Sequence, residues 1–269
     1  MGGDIKALRT RIRSVDATLH LTKAMGLVAS SKIRRAMTAM ANGRQYAEAV
    51  SHAVRMLSAC PECEKSPYLY QSTGQKQKTK LIVIAADRGL AGGYNANVFR
   101  FVKQFEQAQI IPIGKRACER YGSPVCSSET FSYADAASLS KTLCSAFCNR
   151  EFDRLGIVST QYFSMMQQEP TVTWVFPLAR NPKDASKSVL FEPNEIEILN
   201  AVVPEYVTGI LIAAVRESFA CEVAARRVAM DAAGKNAQQM IDSLQLAYNR
   251  ARQSAITQEI TEIVAGSTA

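Results

Sequence analysis

The most suggestive residues for chemistry are Gly89-Leu90-Ala91-Gly92-Gly93, which follow the apolar run Leu81-Ile82-Val83-Ile84-Ala85-Ala86 and precede a helix-like segment. A glycine-rich turn between strand and helix is where backbone N–H groups can cradle a phosphate. The spacing matches neither GxGxxG nor GxxxxGK[ST], and no Lys or Ser/Thr follows to meet phosphate or magnesium. A tight turn needing positive φ accounts for the same glycines. His20 and His52 are the only histidines, and both fall in one long predicted helix, where a single histidine reads as structural. Cys60-Pro61-Glu62-Cys63 is a lone CxxC with no second pair to complete four zinc ligands. Cys144 and Cys148 lie one helical turn apart and read as packing residues. Seven cysteines at irregular spacing argue against a disulfide framework. Free, reduced thiols are the expectation. No catalytic, cofactor-binding or metal-binding residue is nominated.

The elements around these residues are unusual in length. Ile5, Leu8, Ile12, Val15, Leu19, Thr22, Gly26, Ala29, Ile33, Ala36, Met40, Gly43, Ala47, Val50, Val54 and Leu57 recur at alternating steps of three and four, with no proline between them. That is a heptad seam, and a straight helix over it runs about 80 Å. Pro61 and Pro67 end the pattern, and Glu64 to Thr79 reads as a polar linker. From Pro204 onward the seam returns as Met230, Gly234, Ala237, Ile241, Leu244, Tyr248, Ala251 and Ala255, with Gly266 as the stop and proline placed as a helix start. This second helix runs about 90 Å. The small residues Gly26, Ala29, Ala36 and Gly43 allow close approach, so the two seams predict an antiparallel coiled coil.

Between the seams the period changes. Strands are predicted at Leu81–Ala86, Gln109–Ile113, Leu155–Thr160 and Thr171–Leu178. Helices are predicted at Asn95–Ala108, near Arg116–Tyr121, and at Tyr133–Phe147, with a loop at Asn181–Ser188. Strands alternating with helices indicate a small Rossmann-like α/β domain. The expected fold is therefore α/β with long terminal helices: segment 1–60 as one coiled-coil arm, 61–203 as the α/β domain with linkers, and 204–269 as the second arm.

The net charge of +8 and pI near 9.2 call for acidic partners. Between Asp4 and Leu57 stand ten Lys or Arg against three Asp or Glu, whereas Glu205 to Val264 carries six against seven. The basic first helix has almost no interleaved aromatics, which favours acidic protein loops over nucleic acid. No apolar run approaches the ~20 residues that span a bilayer. The opening Met1-Gly2-Gly3-Asp4-Ile5-Lys6 has no apolar signal core, and Lys6 stands where myristoylation prefers Ser or Thr. A soluble chain, or one peripheral to a membrane through partners, is expected.

Five segments carry a family resemblance. RIRSVDAT (11–18) and LTKAMGLVASSKIRRA (21–36) resemble the N-terminal helix of the ATP synthase gamma family. ADRGLAGGYN (86–95) resembles its middle-domain loop. AMDAAGKNA (229–237) and the highly specific YNRARQSAITQEITEIVAG (248–266) resemble its C-terminal helix. The resemblance implies a non-catalytic central rotor shaft, threading a ring of three alpha and three beta subunits. Its foot would bind the epsilon subunit and the membrane c-ring, coupling proton or sodium flow to ATP synthesis or hydrolysis. It also implies rotor–stator contacts at Lys23, Met25, Arg226, Arg252, Gln253 and Thr257, with Asp87, Arg88 and Gly89 in a loop beside the lower shaft. Ala91 stands where that family usually has cysteine, Arg227 where it has methionine, and Thr160 where asparagine is common. No long cysteine-bearing insertion of the chloroplast type is present, so thiol regulation is not expected. VASSK (28–32) and the missing transit peptide look bacterial, which implies the cytoplasmic face of the plasma membrane; the alternative is the matrix side of the mitochondrial inner membrane. Two other readings remain: an α/β nucleotide-using enzyme with helical extensions, and a coiled-coil adaptor for nucleic acid.

Overall fold

The computed structural model describes residues 2–71, 77–181 and 191–267. The elements are α1 (Gly2–Ala59), β1 (Thr79–Ile84), α2 (Tyr94–Val102), β2 (Gln109–Ile113), α3 (Lys115–Tyr121), α4 (Tyr133–Cys148), β3 (Arg154–Tyr162), β4 (Gln168–Phe176) and α5 (Glu195–Ser267). They form two compact bodies: residues 1–30 with 226–269, and residues 31–225. Part of the predicted linker (72–76) and most of the predicted 181–188 loop lie outside the described residues. The rest of the linker is more than polar spacer. Two short 3₁₀ turns, Pro61–Lys65 and Pro67–Leu69, lead into and form its start, and Tyr68 within the second stacks on Phe176 at 5.5 Å and Phe147 at 6.4 Å.

In the second body, the sheet has the order β2-β1-β3-β4. β1 pairs parallel with β2 and with β3, and β3 pairs antiparallel with β4. Leu81, Ile82, Val83 and Ile84 are wholly buried, as a strand covered on both faces requires. Alternation divides them: Leu81 and Val83 pack with Val98 and Val102 of α2, while Ile82 and Ile84 join Leu143 and Phe147 of α4 and Leu199, Val203 and Val207 of α5. Gly114, at φ 98, turns β2 into α3 so close to β1 that a Cβ would stand 1.9 Å from the Ala85 carbonyl oxygen; only glycine fits.

α5 begins at Glu195, nine residues before Pro204, which lies inside the helix. Asn194 caps it: its side-chain oxygen accepts from the Glu197 N–H at 2.9 Å, and its amide donates to the Glu197 carboxylate. Pro204 removes one helical donor, but Leu199, Val203, Val207 and Leu211 are fully buried around it, and that packing holds the helix through the proline. α5 also corrects the reading that no segment is apolar enough to span a bilayer. By length and composition alone it contains such a window, of mean hydropathy 1.8 and half buried. The burial of these same residues against the core explains that apolarity.

Candidate functional site

The first body is a two-helix seam. A Cβ added to Gly26 would stand 3.7 Å from the Met230 Cβ, and one added to Gly234 would stand 3.6 Å from the Thr22 hydroxyl and 3.9 Å from Leu19. These contacts fix an antiparallel register. Carried back along α1, it sets Ile5 opposite Ala251. Every seam residue from Ile5 to Ala29, and from Met230 to Ala255, is buried or half-buried. Arg227, where methionine was expected, donates to the Gly26 carbonyl at 3.0 Å and pairs with Asp231 at 3.3 Å. A long cation thus makes the contact beside Gly26 that an apolar side chain would make.

Past Ala255 the seam has no counterpart on α1, and residues 256–266 are all exposed. Among them are Ile256, Ile260, Ile263 and Val264, with Ile263 71% exposed. Arg252 and Gln253 stand exposed just before this overhang, and the Thr257 hydroxyl donates to the Gln253 carbonyl at 3.0 Å. Lys23 is exposed on α1, whereas Met25 and Arg226 are half-buried.

In the second body, α1 and α5 again approach closely. A Cβ on Gly43 would lie 3.3 Å from the Ala213 Cα, and the Tyr46 ring lies 2.9 Å from where a Gly209 Cβ would be. Asp87, Arg88 and Gly89 belong to this body. The Asp87 carboxylate accepts from the Lys115 N–H (3.0 Å), the Ser128 N–H (2.9 Å), the Glu129 N–H (3.1 Å) and the Ser127 hydroxyl. Burial raises its pKa, but these four donors outweigh burial and hold it below the usual carboxylate value. Asp87 is therefore a hub that ties three segments together, while Arg88 beside it is exposed. The glycine-rich turn does use positive φ, at Leu90 (59°) and Gly92 (57°).

The sheet's strand order reverses between β1 and β3, and ligands in open α/β sheets bind in the crevice at the carboxyl ends of such strands. Here α5 occupies it. The Thr160 N–H donates to the Ser218 hydroxyl at 3.1 Å, and the Cys221 thiol lies 3.4 Å from the Thr160 carbonyl. The Tyr162 N–H donates to Glu217 at 2.8 Å, and the Tyr94 hydroxyl donates to the Ser218 carbonyl at 3.1 Å. Glu217 also receives Arg44 of α1 at 2.6 Å. Where a nucleotide would lie, the chain has placed its own helix. Ala91 packs in this region with Ala86, Tyr94 and Cys221.

The cysteines are all free thiols. Burial pushes Cys63 up to about 11 and Cys144 and Cys221 up to about 12, and Cys60 is raised for the same reason. A reactive thiol needs the opposite shift. Among the described residues no group of three or more His, Cys, Asp or Glu gathers in a way that could hold a metal.

The model of a family described as ATP synthase matches residues 4–269. A protein of Alkaliphilus metalliredigens named ATP synthase gamma chain is 36% identical over 289 residues, covering 100% of this chain and 99% of its own. The gamma chain of Ruminococcus albus is 37% identical over 287 residues, covering 98% of both. The chain belongs to the ATP synthase gamma family. Solved chains of mitochondrial ATP synthases share its fold at low identity. A chain of the Euglena gracilis mitochondrial ATP synthase, described as OSCP/F1/c-ring, superposes with a TM-score of 0.69 at 18% identity, covering 100% of this chain and 95% of that one. A chain of the Tetrahymena thermophila mitochondrial ATP synthase, described as central stalk/c-ring, gives 0.62 at 22% identity, covering 79% and 99%.

For a gamma-family chain, the residues that sequence reasoning passed over are Arg44, Glu217 and Ser218, which fasten α5 and α1 to the sheet. Each looks like an ordinary polar residue of a long helix. The one available signal was that Arg44 sits beside the seam residue Gly43.

Proposed function

We infer that this chain is the central rotor subunit of an F-type ATP synthase, turning within a ring of alpha and beta subunits and catalysing nothing itself. The overhang of α5 carries the reading most directly. A helix that continues past its partner with Ile256, Ile260, Ile263 and Val264 exposed needs a surrounding partner to cover it. The filled crevice between β1 and β3 argues against the nucleotide-using enzyme. The near-absence of aromatics on the basic helix argues against the nucleic-acid adaptor.

In this reading segments 1–60 and 204–269 serve as the two arms of the shaft and 61–203 as a collar, which meets the epsilon subunit and the c-ring. Lys23, Met25, Arg226, Arg252, Gln253 and Thr257 meet the stator ring, and Asp87 acts by holding the loop that presents Arg88 and Gly89. Differential contacts in successive orientations shift each catalytic site between affinities. The complex is membrane-associated, and this subunit is peripheral, on the cytoplasmic face of a bacterial plasma membrane. The test is reconstitution with alpha and beta subunits, a bead attached to the collar and ATP supplied. Unidirectional rotation is expected; a chain that fails to co-purify with the ring, or a bead that stays still during hydrolysis, would refute the assignment.

A further inference from the structure

Within the second body a cleft of about 380 Å³ opens between α1, α5 and the segment following α3, a volume within the range of small-ligand sites. Lys32 and Arg35 of α1, Arg216 and Phe219 of α5, and Ser128 and Phe131 of the intervening segment line it. Ser128 is 5% exposed. Its N–H is taken by Asp87, but its buried hydroxyl has no hydrogen-bond partner, a rare condition in a folded chain. Lys32 is paired with Glu129, which also lines the cleft. Among the described residues Arg35 and Arg216 have no ion-pair partner, so the lining keeps two uncompensated guanidinium groups.

We propose that this cleft binds a phosphomonoester. A dianionic phosphoryl group matches two guanidinium forks in charge and geometry. One of its oxygens accepts from the Ser128 hydroxyl and so satisfies it. The ester's apolar part lies against Phe131, Phe219 and Val215, which also line the cleft. Glu129 is the one like charge facing the ligand, and it weakens binding without preventing it because Lys32 neutralises it. The site borders the Asp87 loop, to which the Ser128 and Glu129 N–H groups donate, but none of its lining residues is among the contacts of the rotor reading, and the proposal does not depend on them.

The test is calorimetric titration of the purified full chain with phenyl phosphate and, separately, inorganic phosphate. One saturable site is expected, with phenyl phosphate the tighter ligand. Arg35→Gln and Arg216→Gln should each weaken phenyl phosphate about ten-fold or more, the loss of one charge-assisted pair. Ser128→Ala should weaken it less. Glu129→Gln removes the opposing charge and should tighten it, a gain that damage to folding cannot mimic. Absence of saturation by phenyl phosphate overturns the proposal. So does unchanged affinity in both arginine variants or in Glu129→Gln, and so does inorganic phosphate binding as tightly as the ester.

Discussion

Glu217→Ala should loosen the second body measurably, and the size of the effect follows from its partners. The carboxylate accepts from the Tyr162 N–H at 2.8 Å and from Arg44 at 2.6 Å, and its side chain is 16% exposed. Truncation strands a half-buried backbone N–H, at a cost of about 1–3 kcal/mol. The Arg44 side chain is 40% exposed, so water re-solvates it, and it keeps a 3.3 Å bond to the Tyr162 carbonyl. Its share is therefore under about 1 kcal/mol. The sum is about 1–4 kcal/mol, which for a body of this size lowers Tm by about 2–16 °C. Glu217→Gln retains one acceptor for the N–H and should cost about 1 kcal/mol. The assay is urea unfolding of the full chain followed by fluorescence of Trp174, the sole tryptophan, which lies on β4 of the same sheet with Arg154 stacked 3.8 Å away. An alanine variant within about 0.5 kcal/mol of the parent, the scatter of ordinary surface changes, would show that the network does not fasten α5 to the sheet. Equal damage by Gln and Ala would show that charge, not the N–H contact, carries the effect.

Asp87 has a folded pKa below its unfolded value, so its stabilising contribution is complete above the ordinary carboxylate pKa and is lost as pH falls through the depressed one. Asp87→Asn should abolish that acid-side loss in a stability–pH profile and lower stability at neutral pH by about 2–3 kcal/mol; an unchanged profile would remove Asp87 as the hub. Ala247→Pro deletes a helical hydrogen bond in a part of α5 with several turns on either side, costing about 3 kcal/mol or more. It should disable assembly or coupling, checked by proton pumping of the purified complex. Arg252→Ala with Gln253→Ala should leave the chain's own stability within about 0.5 kcal/mol, since both side chains are exposed. In the assembled complex the pair should slow ATPase turnover and ATP-driven pumping with nucleotide binding intact; normal turnover would strike these residues from the contacts.

The seam was legible because a three-four repeat of apolar and small residues is a one-dimensional signal. Ile5 to Leu57 and Met230 to Ala255 are buried or half-buried at every step. β1 was legible for a related reason, since Leu81–Ile84 has no polar face to expose. The start of α5 was not legible, although the signal was there. Asn194 followed by Glu197 at the third helical position is a capping pattern, but Pro204 offered a competing start. The competition was decided by Leu199, Val203 and Val207, whose burial beneath the sheet outweighs one missing donor.

The glycine-rich turn shows where local reading runs out. Gly89 to Gly93 sits where phosphate loops sit, and its residues alone left both a ligand and a plain turn open. What decides between them lies over a hundred residues away in sequence, at Glu217, Ser218 and Cys221, which satisfy the ends of β3 and leave no room at the crevice. Those three have no distinguishing pattern within α5, because a helix that crosses the carboxyl end of an interior strand meets specific N–H and C=O groups and not an apolar stripe. The same contacts that exclude a nucleotide also bind the α/β domain to the helix. In this chain the position where open α/β sheets hold a ligand is taken by the contacts that join α5 to β3. Hydrogen bonds weaken steeply as their angles depart from linear, so the contacts of Glu217 and Ser218 set the orientation of α5 against β3 as well as its distance.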